Sequence, residues 1–226
     1  MDLRGKRIIV TGGFGALGRC VGQALGSAGA KVGLLDHATA PAALDGALQL
    51  CGGVDVSDPP AAHAAMARLA GDLGGLDGLV NVAGGFRWEP LADGRVETWD
   101  LLYRMNVRTA VCACQAALAH LARGGAIVNV AAGAALRAGA GMGPYAAAKA
   151  GVMRLTEALA EEQKGRIRVN AVLPSIIDTP ANRRDMPDAD FSSWVQPGEI
   201  AAVIQFLLSD AARGVTGALI SVPGRV

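Results

Sequence analysis

Short runs of branched apolar residues alternate along the chain with longer alanine-rich stretches of helical period. Ile8-Ile9-Val10 is apolar at consecutive positions, so Arg7–Thr11 predicts a strand covered on both faces. A helix over Ala16–Ala28 follows, then a strand at Lys31–Leu35 and a short third run from Val54 to Asp55. Pro60–Leu73 predicts a helix and Gly78–Val82 a fourth strand. Thr98–Ala122 predicts one long helix, capped by Thr98 and ended by Gly124-Gly125 before a strand at Ala126–Val130. Tyr145–Gln163, Ile167–Val172, Glu199–Leu208 and Ala218–Val222 continue the alternation as helix, strand, helix and strand. Strands that alternate with helices and are apolar on both faces predict an α/β domain. The expected fold is a doubly wound parallel sheet of about seven strands, helices on both faces, as a single domain over 1–226. Only Leu173–Pro197 breaks the pattern: Pro174, Pro180, Pro187 and Pro197 forbid one continuous helix. With Met186, Phe191 and Trp194 on it, the stretch within 174–197 is expected to be a lid over a site.

Charge removes several function classes. The chain has 226 residues, with 21 Lys+Arg against 20 Asp+Glu, so no electrostatic field favours nucleic acid or an anionic membrane surface. Thr109–Ala122 is the longest stretch free of Asp, Glu, Lys and Arg, and its 14 residues fall short of a membrane span. The amino terminus runs directly into the first strand, and the expected location is the cytoplasm. Cys20, Cys51, Cys112 and Cys114 are irregularly spaced and contain no C-x-x-C, as for free thiols. His37, His63 and His120 show no ligand spacing, and no metal site is expected.

A glycine turn lies where the first strand meets the first helix. Gly13-x-Gly15-x-x-Gly18, within Thr11-Gly12-Gly13-Phe14-Gly15-Ala16-Leu17-Gly18, lets backbone amides approach a pyrophosphate at the helix N-terminus. Asp36 ends the second strand, 18 residues beyond Gly18, where a carboxylate accepts from ribose hydroxyls and repels a 2′-phosphate. The expected cofactor is therefore NAD, with NADP less favoured; Arg19 is the one nearby cation that could soften this.

Tyr145 and Lys149 stand four residues apart on one predicted helix face. The chain holds two tyrosines and four lysines, which give that spacing by chance about 0.04 times. An ammonium beside a phenol lowers the phenol's pKa and makes it a proton donor or acceptor for a reacting atom.

The glycine turn, Asn81-Val82-Ala83-Gly84, Asn106 and Tyr145-x-x-x-Lys149, taken in order, resemble the short-chain dehydrogenase/reductases over essentially the whole chain. The resemblance implies a Rossmann fold and an NAD(P)-dependent oxidoreductase that moves a hydride to or from a small organic substrate. By it, Tyr145 corresponds to the acid/base and Lys149 to its pKa-lowering partner and a ribose ligand. Asn106 corresponds to the residue that holds a relay water through a kinked helix. Gly12, Phe14, Gly15, Leu17 and Gly18 correspond to the phosphate turn, and Asp55 with Val56 to the adenine-binding pair. Asn81, Ala83 and Gly84 match the loop beneath the adenosine ribose. Pro174, Ile177 and Thr179 match the segment that holds the nicotinamide carboxamide. A homodimer or homotetramer is also implied.

Two positions depart from the family pattern. In T-G-x-x-x-G-x-G the middle glycine falls at position 16, which is Ala16, with Gly15 one place earlier. The family's substrate-orienting serine falls at Ala132, and no Ser or Thr occurs between Thr109 and Thr156. Dihydropteridine reductases are similar in both respects, and also along Leu173–Trp194, which points to a pterin-like or other activated acceptor. Val82–Trp88 and the surroundings of Asn106 resemble ordinary members instead. The alternatives are a carbonyl/alcohol enzyme for 3-oxoacyl-thioester or sugar-like substrates, and a nucleotide-binding protein with weak catalysis.

Overall fold

The strands are β1 (Arg7–Thr11), β2 (Lys31–Leu35), β3 (Leu48–Cys51), β4 (Leu76–Asn81), β5 (Leu121–Val130), β6 (Arg168–Pro174) and β7 (Leu219–Val222). They form one sheet in the order β3-β2-β1-β4-β5-β6-β7, with every neighbouring pair parallel. The computed structural model describes residues 1–42, 44 and 48–225. The helices are α1 (Ala16–Ser27), α2 (Pro59–Leu73), α3 (Val96–Leu102), α4 (Thr109–Leu118), α5 (Gly143–Glu162), α6 (Pro180–Asp185) and α7 (Pro197–Leu208).

Alternation along the strands builds two apolar layers. Ile8 and Val10 face the layer shared with Val21 and Leu25 of α1 and Ile200 and Ile204 of α7. Ile9 faces the opposite layer, with Met66 and Leu69 of α2, Ala113 and Ala117 of α4, and Leu159 of α5. Strand order reverses between β1 and β4, and ligands bind beyond the carboxyl ends of strands at such a point.

Three expectations change. The third strand is Leu48–Cys51, paired in parallel from Val32↔Leu48 to Leu35↔Cys51, and not Val54–Asp55. Val54-Asp55 lies just past the strand end, in the turn before α2, where Asp58 caps that helix by accepting from Ala61 N. The long helix is three pieces: α3 starts two residues before Thr98, a π-helical turn covers Tyr103–Arg108, and α4 ends at Leu118. Thr98 donates its hydroxyl to Glu89 and is no cap. Gly124-Gly125 does not end that helix. It sits inside β5, where the pairing shifts register between Leu76↔Leu121 and Gly78↔Ala126 and Gly124 adopts φ +85°.

The segment after β6 is partly ordered. Thr179 caps α6 by accepting from Asn182 N, Pro180 opens it, and Ile177 pairs with Val195. Trp194 is 3% exposed, and its ring lies 4.8 Å from that of Phe191. Both rings therefore fasten the segment to the body, and Ile176 and Met186 are its large exposed apolar groups.

Candidate active site

The strand ends at the switch point carry a continuous polar ladder. Thr11, Asn81 and Asn129 lie side by side in register on β1, β4 and β5. Asn81 donates to Asn129 (2.9 Å), Asn129 donates to Thr156 of α5 (2.9 Å), and Thr156 donates back to Val152 O (2.8 Å). Thr11 donates to Asn81 and accepts from Ala83 N, each at 3.3 Å. All four side chains are buried and satisfied, so the ladder fixes where the loop after β4 leaves the sheet. The Asn81 side chain is thus engaged by the strands on either side of it. Sequence reasoning missed Asn129 and Thr156, although Asn129, next to last in β5, stands in register with Asn81.

A groove of about 1150 Å³ opens above these strand ends, lined by the glycine turn, Asp36, Asp55-Val56-Ser57, Ala83-Gly84 and Thr179-Pro180. Three glycines are dictated by space. A Cβ on Gly12 (φ +66°) would lie 2.7 Å from Ala83 N, one on Gly13 2.6 Å from Leu34 Cβ, and one on Gly18 2.1 Å from Gly12 O. Gly15 differs: it precedes α1 with φ −72°, and its Cβ would meet only Gly12 O at 3.5 Å. The displaced middle glycine is therefore no steric necessity of the folded chain. Gly18→Ala is expected to lower stability by on the order of 1–3 kcal/mol through overpacking. Gly15→Ala is expected to melt close to the parent, and thermal unfolding without added nucleotide checks both; equal losses would refute this account of the turn.

Asp36 is held at the groove wall, accepting from Phe14 N and Ala38 N, both at 2.9 Å. Arg19 turns its Nε to Phe14 O at 2.7 Å. Asp55 accepts from Arg104 (2.6 Å) and from the Ser57 backbone amide (2.9 Å) and hydroxyl (2.6 Å). The Ser57 hydroxyl and Arg104 hold its carboxyl below the usual range. Arg104, in the π-helical turn, was not anticipated from the sequence.

The same turn reaches the loop after β4 and the helix that carries Tyr145 and Lys149. Asn106 is 1% exposed; it donates to Gly85 O (3.0 Å) and Leu102 O (2.9 Å) and accepts from Gly85 N (3.2 Å). Gly84 is wedged between Asn106 and Lys149: a Cβ there would lie 2.5 Å from Asn106 Oδ1 and 3.3 Å from Lys149 Nζ. Lys149 donates to Val130 O at 2.8 Å, and its Nζ lies 6.0 Å from the centre of the Tyr145 ring. Burial pushes the Tyr145 phenol up to about 12 and the Lys149 ammonium down to about 8. The phenol is thus raised and not lowered, with burial as the cause, and the Lys149 ammonium donates to Val130 O and not to the phenol. Phe86, exposed in the loop after β4, meets Tyr145 edge to face at 4.9 Å, a partner that spacing could not reveal.

Ala132 is buried just past β5 in extended backbone. Ser175, the first hydroxyl after β6, donates to Pro223 O at 2.6 Å. Pro174 ends β6 and is buried, while Ile177 and Thr179 follow at the base of α6. Among the described residues no group of His, Cys, Asp and Glu could hold a metal ion, and no helix is long and apolar enough to cross a membrane.

Known proteins are similar to this chain over essentially its whole length. The family profile described as enoyl-(acyl carrier protein) reductase matches residues 14–224. The chain is 32% identical to 2-(S)-hydroxypropyl-CoM dehydrogenase 3 of Xanthobacter autotrophicus, over 98% of this chain and 96% of that one. It is 31% identical to the 3-oxoacyl-(acyl-carrier-protein) reductase of Thermotoga maritima, over 99% and 98%. A short-chain dehydrogenase of Burkholderia cenocepacia, solved in complex with NADP, superposes with a TM-score of 0.84 at 30% identity, over 99% and 98%. A glycine turn at the switch point, a Tyr-x-x-x-Lys helix beside it and full-length likeness to named dehydrogenases and reductases lead to one conclusion: the chain is an NAD(P)-dependent oxidoreductase that belongs to the short-chain dehydrogenase/reductase family.

Proposed function

We propose that this oxidoreductase prefers NADH and reduces a small, already electron-poor acceptor, pterin-like or quinonoid, with Tyr145 as its single proton donor. The observation that carries this is Ala132. The position that would present a second donor holds a methyl group, Ser175 is bonded to Pro223, and Thr156 belongs to the polar ladder. An acceptor that needs little polarisation is the substrate class such a site serves. A nicotinamide dinucleotide held in the groove would supply the hydride. Tyr145 gives the proton to the reacting atom, and Lys149, next to it on the helix, holds the charge that the phenolate needs and bonds the ribose. Asn106 positions Gly85 through its backbone amide and carbonyl, with Gly84 between Asn106 and Lys149. Gly12, Phe14, Gly15, Leu17 and Gly18 hold the phosphates, Asp55-Val56 the adenine, and Ala83-Gly84 the adenosine ribose. Pro174, Ile177 and Thr179 hold the carboxamide under a lid formed by residues within 174–197.

NADH preference rests on Asp36. Two backbone amides fix its carboxylate at the groove wall, and Arg19 is drawn to Phe14 O, so a 2′-phosphate meets negative charge. A preference of about tenfold or more in kcat/KM is expected, which needs only ~1.4 kcal/mol. The family uses both dinucleotides, as the NADP complex of the Burkholderia neighbour illustrates, so the ratio is measured with NADH and NADPH in parallel. Equal values would remove the role given to Asp36.

A panel of quinonoid dihydropterin, quinones, 3-oxoacyl thioesters and sugars tests the substrate class. The names of the Xanthobacter and Thermotoga relatives favour the second reading, an ordinary carbonyl/alcohol enzyme, and preferential turnover of a plain ketone would establish it. Nucleotide binding with no turnover across the panel would leave a nucleotide-binding protein. Cytoplasmic residence is supported by four unpaired cysteines, and a homodimer or homotetramer by the exposed row Val96, Trp99 and Tyr103 beside α5.

A further inference from the structure

Among the described residues, five charged side chains line the nucleotide groove: Arg19, Asp36, Asp55, Arg104 and Arg184. Four of them are engaged by the protein itself. Arg19 donates to Phe14 O, Asp36 accepts from Phe14 N and Ala38 N, and Asp55 and Arg104 pair with each other. Arg184 has no hydrogen bond and no ion pair among the described residues.

Its backbone is nonetheless firmly placed. Thr179 caps α6, Asn182 donates to Ile177 O at 2.8 Å, and Arg183 pairs with Asp178 at 2.5 Å. Asp178 also accepts from Gln196 at 2.9 Å, and the Arg183 guanidinium lies 4.7 Å from the centre of the Phe191 ring. Neighbouring arginines on one short helix thus divide: Arg183 fastens it, and Arg184 faces the groove. The glycine turn lines the same groove, and the first turn of α1 behind it holds no acidic residue. That turn offers backbone amides, a partial positive charge and one cation, Arg19, whose Nε is drawn to Phe14 O, against the two negative charges on a dinucleotide's pyrophosphate. A cation on a preorganised support with no protein partner is what a charged ligand group requires.

We infer that Arg184 is a pyrophosphate ligand, a clamp that reaches the dinucleotide from α6 across the groove from the glycine turn. The inference rests on the groove being the dinucleotide site and is independent of the substrate. The clamp binds the phosphates and ignores the redox state of the nicotinamide, so NAD and NADH lose equally when it is removed.

Calorimetric titration of the purified protein with adenosine, ADP-ribose and NADH tests it. Arg184→Gln is expected to raise Kd for ADP-ribose and NADH about tenfold each and to leave adenosine within about twofold. Arg184→Lys is expected to recover most of the loss at low salt, because it restores the charge without the planar fork. The parent's affinity for ADP-ribose should also fall more steeply with salt than that of Arg184→Gln. Unchanged ADP-ribose affinity in Arg184→Gln would overturn the clamp. Equal losses for adenosine and ADP-ribose would overturn it too, since they would mean that Arg184 merely shapes the groove. A parent that binds none of the three probes would overturn the nucleotide site itself, a result distinct from either.

Discussion

Tyr145→Phe is expected to lower kcat/KM by about 10²–10⁴-fold, the range that a positioned general acid supplies, with an unchanged melting curve. The ring stays, so the edge-to-face contact with Phe86 at 4.9 Å survives and only the hydroxyl is lost. Steady-state assay beside thermal unfolding checks this. A variant that keeps more than about a tenth of the parent's rate would remove Tyr145 from the proton path.

The pH profile belongs to its neighbour. Burial holds the phenol up at about 12, so it keeps its proton throughout the working range, whereas Lys149, held down to about 8, changes charge within it. In the proposed role the ammonium would stabilise the phenolate left when Tyr145 has given up its proton, so reduction is expected to fall as pH rises through about 8. Stability moves the other way. Between about 8 and the ordinary lysine value of 10.5 the native state binds fewer protons than the unfolded chain, so this residue makes stability rise with pH. Lys149→Met should flatten that rise, which separates the titration of this lysine from that of any group at the surface.

Much of this was legible because the chemistry sits on periodic elements. Ile8-Ile9-Val10 reads as a buried strand, and the four-residue spacing of Tyr145 and Lys149 holds on any α-helix. Features made by one extra residue or by distant loops were not. The π-helical turn at Tyr103–Arg108 leaves hydrophobic spacing nearly intact, yet it turns Asn106 to Gly85 and Arg104 to Asp55. β3 is four residues long and is followed by Gly52-Gly53, so its pattern is too short to stand out from the turn beyond it. The bonds of Asn81 to both neighbouring strands were not legible either, because they depend on the register with Thr11 and Asn129. The direction of Lys149 was likewise open, since a long side chain four residues from a tyrosine can turn to a strand carbonyl, here Val130 O, as readily as to the phenol.

Ala132→Ser is expected to raise kcat on a plain ketone by up to about 10²–10³-fold while leaving a quinonoid acceptor little changed. Reduction of an unactivated carbonyl builds negative charge on oxygen, and a lost donor at such a site typically costs about 2.7–4 kcal/mol. An electron-poor acceptor develops less charge on the atom that Tyr145 protonates and needs the second donor less. The backbone at 132 is extended, at φ −160° and ψ 151°, a conformation that serine adopts without strain, so the added hydroxyl is the whole of the change. The site is 6% exposed, and a serine hydroxyl that finds no partner there is destabilising by about 1–3 kcal/mol, which a melting curve separates from a change in rate. Parent and variant are compared on one plain ketone and one quinonoid acceptor, with NADH saturating. A selective gain on the ketone means that position 132 sets how strongly the substrate must be activated. If the parent already reduces the ketone as fast as the quinonoid acceptor and the serine alters neither, the missing hydroxyl has no bearing on substrate choice, and the preference for activated acceptors falls with it.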